Sequence, residues 1–176
     1  MENGLIHIYC GDGKGKTTAA MGLGMRAAGR EMKVLLTQFL KSNTSGELNS
    51  IEKLKEYFHI VKGKPVGKFV WNMNEAEKEE AKNEHMNRFK FLIKKAIEEE
   101  YDVLILDEII ASINIGFIDL GMVINFLENK PKSLEVVMTG RDPKKELVEL
   151  ADYVSEIRCI KHPFNKGIPS RVGIEK

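Results

Sequence analysis

The stretch Gly11-Asp12-Gly13-Lys14-Gly15-Lys16-Thr17-Thr18 limits the folds open to this chain more than any other. It follows a β-prone run at 5–10 (Leu-Ile-His-Ile-Tyr-Cys) and opens a stretch at 17–29 rich in Ala, Met and Leu. A strand, a glycine turn and a helix opening on Lys-Thr-Thr is the setting in which such a motif has physical meaning. The turn's amides and the unpaired N–H groups of the helix start form an anion nest. Gly11, Gly13 and Gly15 permit positive φ and close backbone approach. Lys14 and Lys16 add positive charge, the Thr17 hydroxyl suits a Mg²⁺ position, and Thr18 can donate to another phosphate oxygen. Residues 11–18, Asp12 included, are therefore expected to hold the triphosphate of a nucleotide. The spacing departs from the common G-x-x-x-x-G-K-[ST] pattern. Five residues before Gly15 stands Cys10, and the nearest glycine is Gly11, so the loop is one residue shorter.

Apolar runs alternate with helical patterns along the rest of the chain. Runs at 33–39, 103–106 and 134–139, with shorter ones at 58–61 and 153–157, are near-continuous instead of strictly alternating, which points to strands covered on both faces. Between them, 17–29 ends on a glycine suited to a C-terminal cap. A long helix is expected over 74–100, with Asn74 and Glu77 spaced as a capping box. Ala81, His85, Phe89, Leu92, Ile93, Ala96 and Ile97 share one face of it. The β-α-β-α order predicts an α/β fold of the P-loop NTPase-like (RecA-like) kind. Its mainly parallel sheet is flanked by helices on both faces, and ligands sit at the carboxyl ends of the strands. The 176 residues suit one nucleotide-binding domain, with the tail 159–176 expected to pack near the site.

A net charge of +1 gives no basic excess of the kind that marks a nucleic-acid partner. No apolar run approaches the ~20 residues of a membrane span, and the first residues carry no secretory pattern. Cys10 and Cys159, the only cysteines, form neither a disulfide framework nor a zinc spacing, which suggests a reducing cytoplasm. Val103-Leu104-Ile105-Leu106-Asp107-Glu108 buries a strand and delivers two carboxylates at its carboxyl end. That is where a phosphate-bound Mg²⁺ (or Mn²⁺) needs oxygen ligands. Thr17, Asp107 and Glu108 are thus the candidate metal ligands, and the spacing does not decide which carboxylate touches the ion.

The chain resembles the corrinoid adenosyltransferases of the P-loop type (cob(I)alamin adenosyltransferase). The resemblance rests on 11–29 with its shortened loop, Gln38-Phe39, Gly46-Glu47, Phe69-Val70-Trp71, Asp107-Glu108, Thr139-Gly140-Arg141, 149–152, Lys161-His162-Pro163-Phe164 and Gly173-Ile174-Glu175. It implies transfer of the 5′-deoxyadenosyl group of ATP to the cobalt of a reduced corrinoid, with triphosphate released. It also implies an ATP reversed along the loop, a homodimer, and a separate flavoprotein as reductant. Phe69 and Trp71 match the family's aromatic pair, which lines the corrin pocket and displaces the lower axial ligand. From the residues alone both could be core side chains. In an extended segment they would share a face. With Lys16 they are the residues expected to support catalysis. Arg26 matches an arginine that approaches the nucleotide, and Arg141 stands at the sheet's functional edge, within reach of phosphate or corrin. Gln38 and Glu47 occupy family positions near the site, and His162 reads as a packed or capping histidine. The sequence departs from the family at Asp12 (Asn in some members), at Lys41-Ser42 (usually Lys-Gly) and at Pro169-Ser170-Arg171 (usually Ala-Gln). Two other classes remain open on the residues alone: a kinase or RecA-like ATPase, and a non-catalytic module binding ATP and corrinoid. A short loop, no Asn-Lys-x-Asp motif and no arginine-rich lid count against the first.

Overall fold

The computed structural model describes residues 2–41, 46–64, 68 and 70–175. Six strands form one sheet: β1 Ile6–Cys10, β2 Val34–Gln38, β3 Phe58–Ile60, β4 Val103–Asp107, β5 Glu135–Thr139 and β6 Tyr153–Glu156. Their order is β3-β2-β4-β5-β1-β6, and every neighbouring pair is parallel. The helices are α1 Lys16–Ala28, α2 Gly46–Ile51, α3 Glu75–Glu98, α4 Ile109–Asn114, α5 Leu120–Asn129 and α6 Lys145–Leu150.

All residues of β2 and β4 are buried, as the near-continuous apolar runs require. Their side chains alternate between two cores. Val34, Leu36, Val103, Ile105 and Val137 pack with Ala20, Met21, Ala27 and Ala28 of α1 and with Leu48 and Ile51 of α2. Leu35, Leu104, Leu106, Val136 and Met138 pack on the opposite face with Phe89, Leu92 and Ala96 of α3 and Val123, Phe126 and Leu127 of α5. Helices on both faces of a parallel sheet are the predicted architecture. The strand β6 is the exposed edge.

Local predictions fare unevenly. The Asn74 side chain accepts from the Glu77 amide at 2.9 Å, and Glu77 accepts in return from the Asn74 amide at 2.9 Å, which completes the capping box. In α3 the stripe His85, Phe89, Leu92 and Ala96 is buried, but Ile97 is 45% exposed and Arg88 joins the buried face. Gly29 does not use the positive φ open to glycine: it stays right-handed at −66°, and Glu31 makes the left-handed turn at 62°. The segment expected to be extended around Trp71 is instead a 3-10 turn, Val70–Asn72, leading into the Asn74 cap. The call on Phe69 lies outside the described residues.

Replacing Asn74 with Ala should cost about 1 kcal/mol of stability, the usual worth of a side-chain N-cap. Urea unfolding would show it as a lower midpoint at unchanged slope.

Candidate functional site

Register brings the site together. Gln38 of β2 lies beside Asp107 of β4, and Thr139 ends the next strand, β5. Asp107 is completely buried. Its Oδ1 accepts from Thr139 Oγ1 at 2.7 Å and Thr17 Oγ1 at 2.9 Å. Its Oδ2 accepts from Lys41 Nζ at 2.7 Å and Gln38 Nε2 at 3.0 Å. Lys41 Nζ also donates to Thr17 Oγ1 at 3.0 Å. Behind this cluster, buried Arg88 donates to the Gln38 carbonyl at 3.1 Å, pairs with Glu84 at 3.2 Å, and lies 4.6 Å over the Phe39 ring.

The phosphate loop turns through left-handed φ values at Gly11 (98°) and Gly15 (125°). It leans on the segment that follows β6: the Gly13 amide donates to the Ile157 carbonyl at 2.8 Å. A Cβ on Gly11 or Gly13 would stand 2.4 or 2.7 Å from that carbonyl oxygen, so only glycine fits. Lys16 folds back onto the loop, donating to the carbonyls of Gly11 at 2.7 Å and Gly13 at 2.9 Å. Asp12 accepts from the Cys159 amide at 3.0 Å, and that hydrogen bond holds its carboxyl below the usual range. The Asp12 carboxylate thus anchors the C-terminal tail while lining the cavity that the loop faces.

Three non-glycine residues take left-handed φ within three residues of strand ends: Leu40 after β2 (54°), Glu108 after β4 (61°) and Asp142 after β5 (51°). Such conformations cost about 1–3 kcal/mol each and gather at functional sites. At Glu108 the amide donates to Thr139 Oγ1 at 2.8 Å. Its carboxyl has no hydrogen-bond partner among the described residues. Burial, then the neighbouring Asp107, pushes its pKa up. Thr17, Asp107 and Glu108 together offer only oxygen donors, and a cation there would relieve the two acids. The set fits Mg²⁺.

A cavity of about 1520 Å³ opens over this floor. The loop residues from Asp12 to Thr18, Lys41, Glu47, Glu108, Arg141 and Trp71 line it. So do parts of the tail, among them His162, Phe164, Ile168 and Ile174. Trp71 is 76% exposed, so it is no core residue. His162 caps the turn Pro163–Lys166, accepting from the Phe164 amide at 3.1 Å. Arg26 does not line the cavity. Ten residues beyond Lys16 on α1, it lies about 15 Å away along the helix axis, exposed on the surface. The structure therefore does not bring it to the loop with the other assigned residues. Cys10 is buried, whereas Cys159 is only partly so. Sequence reasoning gave no role to Lys41 and overlooked Arg88. The one signal available was a lysine soon after an apolar strand that must pair with the Asp-Glu strand.

The sequence model of the family described as ATP:corrinoid adenosyltransferase BtuR/CobO/CobP matches residues 2–175. A corrinoid adenosyltransferase of Sinorhizobium sp is 35% identical, the match covering 99% of this chain and 81% of that one. Corrinoid adenosyltransferases of Escherichia coli K12 and Salmonella typhimurium LT2 are each 32% identical over 99% of this chain and 86% of theirs. Among solved structures, the cytoplasmic domain of EssC is similar in fold, with a TM-score of 0.54 at 17% identity. That match covers 98% of this chain and 37% of that one.

The raised pKa of Glu108 has a sign that stability measurements can read. The unfolded chain ionises this group first, so its burden on folding appears as pH rises above the ordinary carboxyl range and is full above the raised folded value. The substitution Glu108→Gln should make the ligand-free protein more stable than the parent at neutral pH. Denaturant titrations should show the difference closing as pH falls below the ordinary glutamate range.

Proposed function

We propose that this chain, which belongs to the ATP:corrinoid adenosyltransferase family, transfers the 5′-deoxyadenosyl group of ATP to the cobalt of cob(I)alamin or a related reduced corrinoid and releases triphosphate. Membership makes it a corrinoid adenosyltransferase, an enzyme acting on ATP and a corrinoid. The choice of reduced substrate and the residue roles are the proposal. The observation that carries it is the single cavity of about 1520 Å³ reaching from the phosphate loop to Trp71 and the tail. One end is cationic and rich in backbone amides. The other presents Trp71, Phe164 and Ile168, apolar surface suited to a flat macrocycle. The volume of about 1520 Å³ leaves room beside a nucleotide for a second, larger ligand.

The electron pair of Co(I) attacks C5′ of the ribose. The cobalt–carbon bond forms as the C5′–O bond breaks, and that bond's electrons leave on the triphosphate. No proton moves, so no general base is required. The chain's part is to position the two substrates and stabilise the departing charge. Lys16, now held by loop carbonyls, is placed to turn to phosphate oxygens, joined by Lys14, Thr18, Arg141 and the amides of residues 11–18. A bound Mg²⁺ or Mn²⁺, held by Thr17, Asp107 and Glu108, would add charge stabilisation on the leaving group. Trp71, with Phe69 beside it in sequence, orients the corrin. The reading includes a homodimer, a flavoprotein reductant, and a cytoplasmic setting consistent with two free thiols. No helix among the described residues is long and apolar enough to cross a membrane.

Strongly reduced cobalamin, ATP and Mg²⁺ incubated with the protein should yield an organocobalt product and inorganic triphosphate in equal amounts. Release of ADP and phosphate without that product would overturn the reading. The change Lys16→Ala should lower kcat about 10²- to 10³-fold, the usual loss for one donor to a developing anion. Trp71 is the sole tryptophan, so corrinoid binding should quench the protein's fluorescence. Trp71→Ala should raise KM for corrinoid while leaving ATP affinity unchanged.

A further inference from the structure

We infer that Lys41 is a latch on the metal position: in the ligand-free protein its ammonium stands in for the divalent ion, and it yields only when nucleotide arrives with the metal. The inference rests on Thr17 and Asp107 being metal ligands, a part of the reading above. It does not depend on the transfer to cobalt.

The geometry is specific. Lys41 Nζ lies 2.7 Å from Asp107 Oδ2 and 3.0 Å from Thr17 Oγ1. The Thr17 hydroxyl donates to Asp107 at 2.9 Å, so its proton is committed there and its oxygen is left to accept from Lys41. A metal ion at Thr17 needs that same oxygen lone pair. It also needs the negative charge of Asp107, whose other contacts are the Thr139 hydroxyl and the Gln38 amide. The ammonium and a divalent cation cannot both occupy this corner, because they compete for the same two oxygens and repel each other.

What displaces the ammonium follows from the energetics of buried charge. Asp107 is wholly buried and Lys41 is 28% exposed, so removing one partner leaves an uncompensated charge in a low-dielectric site. A metal ion arriving alone would displace Lys41 from Asp107, and the ammonium and the ion would then compete for the one remaining neighbouring carboxylate, Glu108. The ion would also find few ligands, since the described residues contain no group of three or more His, Cys, Asp or Glu able to hold an ion. Mg²⁺ is commonly held by one or two carboxylates together with substrate phosphates. A nucleotide bringing its metal removes both obstacles at once. Phosphate oxygens complete the ion's shell, and the same triphosphate gives Lys41, already on the cavity wall, a new partner. Lys41 then becomes a further cation on the leaving group. Metal and nucleotide therefore enter as a pair, and metal without nucleotide is excluded.

Metal-stripped, nucleotide-free protein titrated with Mn²⁺ and followed by the electron paramagnetic resonance of the free ion tests this. The parent should bind no Mn²⁺ at submillimolar concentration until ATP or inorganic triphosphate is added, and then about one ion per chain. The variant Lys41→Met should bind Mn²⁺ without nucleotide at least tenfold more tightly than the parent. Its melting temperature should rise with Mn²⁺ while the parent's does not. Adding Asp107→Asn to Lys41→Met should abolish the gain, and Lys41→Arg should behave as the parent. Lys41→Gln, which keeps a neutral donor on Asp107, is read in the same way if Lys41→Met does not fold. Nucleotide-free Mn²⁺ binding by the parent as tight as by Lys41→Met would overturn the latch. So would no gain in either neutral variant, or a gain that survives Asp107→Asn. No readout involves a corrinoid, so a failure here is separate from a failure of adenosyl transfer.

Discussion

A carboxylate with no solvent at all sits at the centre of this molecule's chemistry. Burying such a charge costs several kcal/mol unless hydrogen bonds and an opposite charge compensate it. Asp107 obtains compensation from the start of α1, the end of β2, the turn after β2 and the end of β5. Each donor can reach it only if its element holds the observed register. The need to satisfy one acid thus fixes the relative heights of β2, β4 and β5 and the seat of the phosphate loop. What looks like site architecture is in this sense also a structural constraint, and the Arg88 contact to the Gln38 carbonyl extends it to α3.

The strands were legible because a doubly covered parallel sheet demands unbroken apolar runs, and the chain supplies them at 33–39 and 103–106. The loop was legible because strand, glycines, lysine and hydroxyls coincide locally. Lys41 was not, because its partner lies 66 positions further along the chain and only the β2–β4 register joins them. Trp71 was read as extended from its spacing to Phe69, but it sits in a 3-10 turn that the Met73 amide closes on the Val70 carbonyl, just ahead of the Asn74 cap. Arg26 came from resemblance, and the rise of a helix separates it from the loop. The role of Asp12 was not legible because its partner is a backbone amide 147 positions along the chain, and no side-chain pattern announces such a bond.

The tail illustrates how a departure from a family pattern can be absorbed. Arg171, in the divergent Pro169-Ser170-Arg171, makes a bidentate pair with Glu175, at 2.7 Å for its shorter bond. That contact draws the Glu175 carboxyl down to about 2. Pro169 and Ser170 line the cavity along with Glu175. The altered residues therefore brace the tail internally, while Ile168 and Ile174 still present apolar surface to the space beside Trp71.

The position of β1 has a consequence for how the molecule comes into being. This strand lies between β5 and β6, and its glycine turn rests on the carbonyl of Ile157. Chains emerge from the ribosome with the N-terminus first. The phosphate loop is thus made before either of the strands that flank β1. Until β5 and β6 have appeared, the glycine turn lacks the strands beside it and the Ile157 carbonyl on which it rests, so a product stopped before them would carry the nucleotide motif without its seat.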